Sequence, residues 1–128
     1  SMHRKTILLA DDDIGLRAGL ETLLTLTGYE VIEASDGMKA LELYRIYRPD
    51  VLVCDMKMPI MNGDMVFKVL KADPNVRSLN FILMSGAADA TAVAMSAGIP
   101  VTNILQKPFF VENLLRLIED VLNQAGQA

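Results

Sequence analysis

The sequence predicts an α/β fold: a single domain built on a doubly wound, five-stranded parallel sheet with helices on both faces. Two observations carry that prediction. First, five short apolar runs of β-type residues recur along the chain, at Thr6–Ala10, Glu30–Ala34, Val51–Cys54, Phe81–Met84 and Val101–Leu105. Each is followed by a helical pattern. Runs this apolar suit strands covered on both sides, the usual condition of a parallel sheet. Second, the chain has 128 residues, 52% of them hydrophobic, and shows no low-complexity stretch or linker. That length fits one domain, which would bury roughly two-thirds of the surface its unfolded chain exposes. Strand–helix repeats within one sheet imply right-handed crossovers.

The helical patterns are amphipathic. Leu16, Leu20, Leu23 and Leu24 share the face of a first helix. Asp13 is a good N-cap before it and Gly28 a good stop after it. Ala40, Leu41 and Tyr44 mark a second helix, with Ser35-Asp36 at its start. Val66, Phe67 and Leu70 mark a third, beginning near Gly63, with Pro59 shaping the loop before it. Ala90, Val93, Ala94 and Ala97 mark a fourth, stopped by Gly98 and Pro100. Leu114, Leu117, Ile118 and Val121 mark a fifth.

Composition excludes several classes. Twelve Lys and Arg against 16 Asp and Glu give a net charge of −4. Sequence-independent nucleic-acid binding needs a basic surface to displace counterions, so this domain is not expected to bind nucleic acid. Aromatics are only 5% and Trp is absent, which argues against stacking platforms for single strands. The lone Cys54 rules out an internal disulfide and suits a reducing, cytoplasmic compartment. No apolar run approaches the roughly 18 residues of a membrane span, so no membrane association is expected. Ser1 precedes Met2 and reads as a cloning remnant, which leaves open an excision from something longer.

In sheets of this kind, ligands bind beyond the C-terminal strand ends, where strand order reverses. Strand one ends in Asp11-Asp12-Asp13, strand three in Asp55, strand four in Ser85-Gly86 and strand five in Lys107-Pro108. The predicted sheet brings all four to one rim. Asp11, Asp12 and Asp55 would repel one another there. Lys107 offers one compensating charge, and a hard divalent cation would offer two. Mg²⁺ suits such a site: it takes one or two carboxylates, keeps several waters and leaves room for a phosphate oxygen. The absence of His and Cys ligands argues against zinc. The same parts suit phosphoryl transfer. A carboxylate can act as nucleophile, a cation and a Lys can neutralise equatorial oxygens, and a Ser hydroxyl can donate to one of them. Asp55, alone at the end of a central strand, is the candidate nucleophile. Asp11 and Asp12 are the candidate metal holders. Asp13 is explained by its capping role.

These residues resemble a known family. Ile7-Leu8-Leu9-Ala10-Asp11-Asp12-Asp13 is similar to the first strand and acidic cluster of response-regulator receiver domains. Asp55-Met56-Lys57-Met58-Pro59 with Met61-Asn62-Gly63 resembles their phosphoacceptor loop. Ser85-Gly86-Ala87 and Lys107-Pro108-Phe109 resemble their remaining signatures. The separations are 43 residues from Asp12 to Asp55, 30 from Asp55 to Ser85 and 22 from Ser85 to Lys107. The resemblance covers residues 4–124, leaving 1–3 and 125–128 as tails.

The resemblance implies a flavodoxin-like (βα)5 fold with strand order 2-1-3-4-5. It implies that Asp55 takes a phosphoryl group from the phosphohistidine of a sensor histidine kinase or phosphotransfer domain. Asp12, Asp55 and the Lys57 backbone carbonyl would hold Mg²⁺, with Asp11 acting mostly through water. Lys107 would pair with the phosphoryl group, and Pro108 would fix a cis Lys107–Pro108 bond. Ser85 would move to bond the group, shifting the face made by the fourth helix, fifth strand and fifth helix. Such a module catalyses only its own phosphorylation and dephosphorylation. An output domain in the full-length protein, and a homodimer through that face, are left open.

The sequence departs from the family pattern at Ile104. A Tyr or Phe usually stands three residues before the Lys and rotates inward when the Ser or Thr moves. An aliphatic side chain has no hydroxyl and cannot swing the same way, so output would rest on the loop after Ser85. Lys57 and Ala87 stand where phosphoryl lifetime is tuned, and small Ala87 would leave water access. Cys54 should point away from Asp55, buried and inert. His3 reads as tail. Met56, Met58, Met61 and Met65 read as flexible core filler ahead of a docking surface.

Three other functions compete. A Mg²⁺-dependent phosphatase with an aspartyl nucleophile would need a second Asp two residues on, where Lys57 stands. A flavin protein would need a hydroxyl- and glycine-rich loop after strand one, where the chain is acidic. A phosphorylation-independent interaction or dimerisation module is the remaining alternative, kept open by Ile104.

Overall fold

The alternation of apolar runs and helices closes into one sheet of five parallel strands: β1 (Thr6–Ala10), β2 (Glu30–Ala34), β3 (Val51–Asp55), β4 (Phe81–Ser85) and β5 (Ile104–Gln106). Their order is β2-β1-β3-β4-β5, as expected. The connecting helices are α1 (Ile14–Thr27), α2 (Gly37–Tyr47), α3 (Gly63–Ala72), α4 (Ala88–Ser96) and α5 (Val111–Gln127). The computed structural model describes residues 4–86 and 88–127. The tail 1–3 with His3, Ala87 and Ala128 lie outside the described residues.

Strand alternation divides the core in two. Leu8, Ala10, Leu52, Cys54, Phe81 and Leu83 face one side, where Tyr44, Phe67 and Leu70 of α2 and α3 and Ala94 of α4 pack on them. Ile7, Leu9, Val51, Val53, Ile82 and Met84 face the other, against Leu20 and Leu24 of α1 and Leu114, Ile118 and Val121 of α5. A side chain at one strand position and its neighbour thus serve opposite layers. Phe67 and Phe81 meet edge to face, with ring centroids 5.1 Å apart.

The helix ends follow the sequence signals. Asp13 caps α1 by accepting from the Leu16 N–H at 3.1 Å. Gly28, at φ 111°, ends it with a left-handed turn. Asp36 caps α2 by accepting from the Lys39 N–H at 2.7 Å. Gly98, at φ 99°, follows α4, and the Ile99 N–H reaches back to the Ala94 carbonyl.

Three local expectations are corrected. Residues 101–103 are not strand but a single 3-10 turn, and β5 covers only Ile104–Gln106. Pro100 opens that turn, and Asn103 closes it by donating its side-chain amide to the Phe81 carbonyl at 3.0 Å. An apolar run is silent about such a turn. Val93 is not a core residue of α4; it is 46% exposed, and Ala94 takes the buried position. β2 is not covered on both faces: it is an edge strand whose Glu30 and Glu33 are exposed. Among the described residues, no helix is long and apolar enough to cross a membrane.

Candidate phosphoacceptor site

Parallel strands deliver their C-terminal ends to one rim, and β1, β3 and β4 lie side by side in the sheet. The backbone pins each end. The Asp11 N–H donates to the Ala34 carbonyl at 3.0 Å, the Met56 N–H to Met84 at 2.8 Å and the Lys107 N–H to Ser85 at 2.7 Å. The Lys107–Pro108 peptide is cis.

On this frame three carboxylates converge. One oxygen each of Asp11, Asp12 and Asp55 lies within 4.8 Å of the others. Asp11 and Asp55 are buried, and Asp12 is exposed. Lys107 reaches in from the end of β5. Its Nζ is 3.0 Å from Asp55 Oδ1 and 3.4 Å from Asp11 Oδ2. The other Asp11 oxygen, Oδ1, accepts from the Asp13 N–H at 2.9 Å. Both Asp11 oxygens are therefore engaged within the protein, which fits a metal contact through water better than a direct one. Ser85 is fully buried at the last position of β4. Lys57 is exposed.

The electrostatics follow from the crowding. Burial pushes the Asp55 carboxyl above the ordinary aspartate value; the Asp11 carboxylate adds to this, and the Lys107 ammonium works against it. For Lys107, burial alone would lower the value. The hydrogen bond and charge of Asp55, with Asp11 behind it, outweigh burial and raise it. Cys54 points to the opposite layer, as expected, and is fully buried. Burial first, then the Asp55, Asp11 and Asp64 carboxylates, hold its thiol well above the usual range. A thiol so placed is inert.

The loop after Asp55 is held by two glycines. A Cβ at Gly63 would strike the Asp55 carbonyl oxygen and come within 2.9 Å of Leu83 Cδ1. The Gly63 N–H bonds the Met56 carbonyl at 2.8 Å. A Cβ at Gly37 would strike the Met61 carbonyl, so the start of α2 packs directly on the loop. Met56 and Met58 are core residues here, whereas Met65 is 44% exposed. Ile104 is partly buried against the layer that holds Leu83.

Between Pro59 and Met61, Ile60 adopts φ 71° while 76% exposed. A β-branched residue is strained in that left-handed region, and its exposed side chain gains little from burial. Ile60→Gly is expected to stabilise the protein by about 1 kcal/mol, because strain relief exceeds the entropy glycine adds to the unfolded chain. Urea unfolding measures this. A variant no more stable than the wild type would show that Ile60 is unstrained.

Known proteins are similar to this chain in sequence and fold. A family model described as the response regulator receiver domain matches residues 7–119. The chain belongs to this family. The chemotaxis protein CheY of Thermotoga maritima is 31% identical, with 91% of this chain and 97% of CheY covered. The transcriptional regulatory protein PrrA of Mycobacterium tuberculosis is 32% identical over 94% of this chain, but only 51% of PrrA is covered. The chain likewise spans 52% of a probable transcriptional regulator, ycf27, from Porphyridium aerugineum. Among solved structures, the chemotaxis response regulator CheY4 of Vibrio cholerae superposes with a TM-score of 0.83 at 28% identity, covering 94% of this chain and all of that one. The receiver domain of a signal transduction histidine kinase from Syntrophus aciditrophicus gives 0.86 at 25% identity, covering 97% and 94%. Receiver domains are signalling domains rather than conventional enzymes. Similar receivers thus occur alone, in transcriptional regulators and in a kinase.

Asp11, Asp12, Asp55 and Lys107 meet at the rim, Ser85 ends β4, and Lys57, expected to act through its backbone carbonyl, has an exposed side chain two residues after Asp55. Two elements that order the site were not singled out from the sequence. Arg17 donates to the Asp11 carbonyl, and Ile60 shapes the loop. A basic residue in a helix's first turn and an isoleucine in a loop carry no signal in periodicity.

Proposed function

We propose that this receiver is phosphorylated on Asp55, with Asp12 and Asp55 holding Mg²⁺ and Lys107 pairing with the phosphoryl group. The observation that supports it best is the placement of Lys107 Nζ between Asp55 and Asp11, at 3.0 and 3.4 Å, beside a third carboxylate. The donor set fits the ion: hard carboxylate oxygens, no imidazole, and a lone thiol turned to the other layer. Bound there, Mg²⁺ would supply positive charge against the phosphoryl oxygens.

The chain's own residues do the rest. An Asp55 oxygen attacks phosphorus, forming an O–P bond as the P–N bond of a phosphohistidine breaks and its electron pair returns to the imidazole. Lys107, already paired with Asp55, follows the charge onto the new phosphoryl oxygens. Ser85, at the end of β4, is placed to donate its hydroxyl to one of them. The Lys57 backbone carbonyl completes the proposed metal set, and Asp11 acts through water and through Lys107. The donor is a histidine kinase or phosphotransfer domain. An apolar groove beside Lys107, lined by Leu16, Leu20, Pro108, Phe109 and Val111, is suited to receive it. The switched surface would be that of α4, β5 and α5, with Ile104 in place of the usual aromatic. Output domain, dimerisation and cytoplasmic location belong to the same proposal.

Incubation with Mg²⁺ and a small acyl phosphate, followed by mass spectrometry, tests the reading. One phosphoryl adduct is expected on the wild type and none on Asp55→Asn. An unmodified wild-type chain under all donor and metal conditions would favour a phosphorylation-independent interaction module instead.

A further inference from the structure

Arg17 connects three parts of the fold. It stands in the first turn of α1. Its Nη1 donates to the Asp11 carbonyl oxygen at 2.6 Å, and its Nε pairs with Glu33 Oε1 of β2 at 3.1 Å. The Arg17 side chain is only 16% exposed, while that of Glu33 is 41% exposed. The carbonyl it holds belongs to the peptide joining Asp11 to Asp12. That peptide is the last rigid unit before the exposed carboxylate of Asp12.

The Asp11 side chain is fixed separately, by the Asp13 N–H and by Lys107. The Asp11 N–H is fixed by Ala34. Arg17 therefore holds the remaining polar group of Asp11. A guanidinium is suited to this, because its planar fork can grip two acceptors at once and its charge does not titrate away.

We propose that Arg17, oriented by Glu33, is a positioning residue that fixes the Asp11–Asp12 peptide and so sets the affinity of the carboxylate rim for Mg²⁺. The proposal rests on the Mg²⁺-dependent reading above. Two effects of Arg17 oppose each other. Its positive charge near three carboxylates should weaken cation binding, and its grip on the backbone should strengthen it. Glu33 settles the sign: its carboxylate offsets the guanidinium charge and leaves the geometric effect dominant. Partners of this outer kind typically change metal affinity about 10–100-fold when removed.

The test is calorimetric titration of the whole chain with MgCl₂, at fixed pH and salt, for wild type, Arg17→Met, Arg17→Lys and Glu33→Ala. Arg17→Met is expected to weaken binding about tenfold. Arg17→Lys keeps the charge but cannot grip both acceptors, so it also weakens binding. Glu33→Ala weakens it less, and adds nothing to Arg17→Met in the double variant. Wild-type affinity in Arg17→Lys with tighter binding in Arg17→Met would mean that charge alone acts, and would overturn the proposal. Unchanged affinity in all variants with a lowered melting temperature would make Arg17 merely structural, which also overturns it. Should Arg17→Met fail to fold, Glu33→Ala, altered at an exposed side chain, decides by the same criterion. A wild-type chain that binds no Mg²⁺ would remove the underlying reading and this proposal together. A wild type that binds while every variant matches it would remove only this proposal.

Discussion

Gly63→Ala is expected to cost about 3 kcal/mol of stability and to abolish or severely slow phosphoryl adduct formation. The added methyl would overlap the carbonyl oxygen of Asp55, which is backbone and cannot rotate aside, and would crowd Leu83 Cδ1 at 2.9 Å. The only relief is movement of the helix start or of the strand end. Either breaks the Gly63 N–H bond to Met56 and displaces the acceptor loop. Gly19→Ala supplies the control: a Cβ there meets nothing within 4 Å, on an exposed stretch of α1. That change should stabilise by about 0.5–1 kcal/mol through helix propensity alone. Urea unfolding and the adduct assay read both variants. Gly63→Ala with wild-type stability and adduct yield would show that the close approach is not a constraint.

The second large effect is expected from Lys107→Ala. Without its ammonium, the buried Asp11 carboxylate and the Asp55 carboxylate face each other uncompensated. Breaking a pair of this kind costs about 3–5 kcal/mol when fully buried. Lys107 is 25% exposed and the site is open to water on the Asp12 side, so about 1–3 kcal/mol is expected in metal-free solution.

The pH dependence has a definite sign. Burial, then Asp11, raise the folded-state value of Asp55 above its unfolded value, with Lys107 pulling it back. Loss of Lys107 raises it further. The penalty is therefore present above the folded value and fades as pH falls through it, because a protonated Asp55 no longer repels Asp11. If the rim binds Mg²⁺ as proposed, saturating Mg²⁺ should also shrink the penalty, since the variant, rid of the competing ammonium, binds the cation more tightly and its folded state gains more by mass action. Thermal unfolding across pH, with and without Mg²⁺, measures this. A penalty that is constant with pH and unaffected by Mg²⁺ would refute the assigned role of Lys107.

The strands and the convergence of Asp11, Asp12, Asp55, Ser85 and Lys107 on one rim were legible because a parallel sheet leaves two strong marks, whereas the strand order came only with the family resemblance. Interior strands read as unbroken apolar runs, and chemistry gathers where those runs stop. The marks fail where the cause is not periodic. Residues 101–103 read as strand because Val101 extends an apolar pattern, yet Pro100 and the Asn103 bond to Phe81 decide for a turn. Val93 fits the helical period but lies on the solvent side, while the neighbouring Ala94 takes the buried position. The Arg17 grip on Asp11 is a contact between a side chain and a backbone carbonyl, and no composition or spacing announces it.

The contact between Lys107 and Asp11 spans 96 positions of sequence. No local segment can assemble it. β1, β3, β4 and β5 must first pair side by side, with the loop-closure entropy of the crossovers joining them already lost, before these two groups meet. A half-folded chain, or one still lacking its last strand, therefore holds Asp55 without the cation that pairs with it. On the proposed function, phosphoryl acceptance would then double as an integrity check, with a signal written only on a finished copy of the protein.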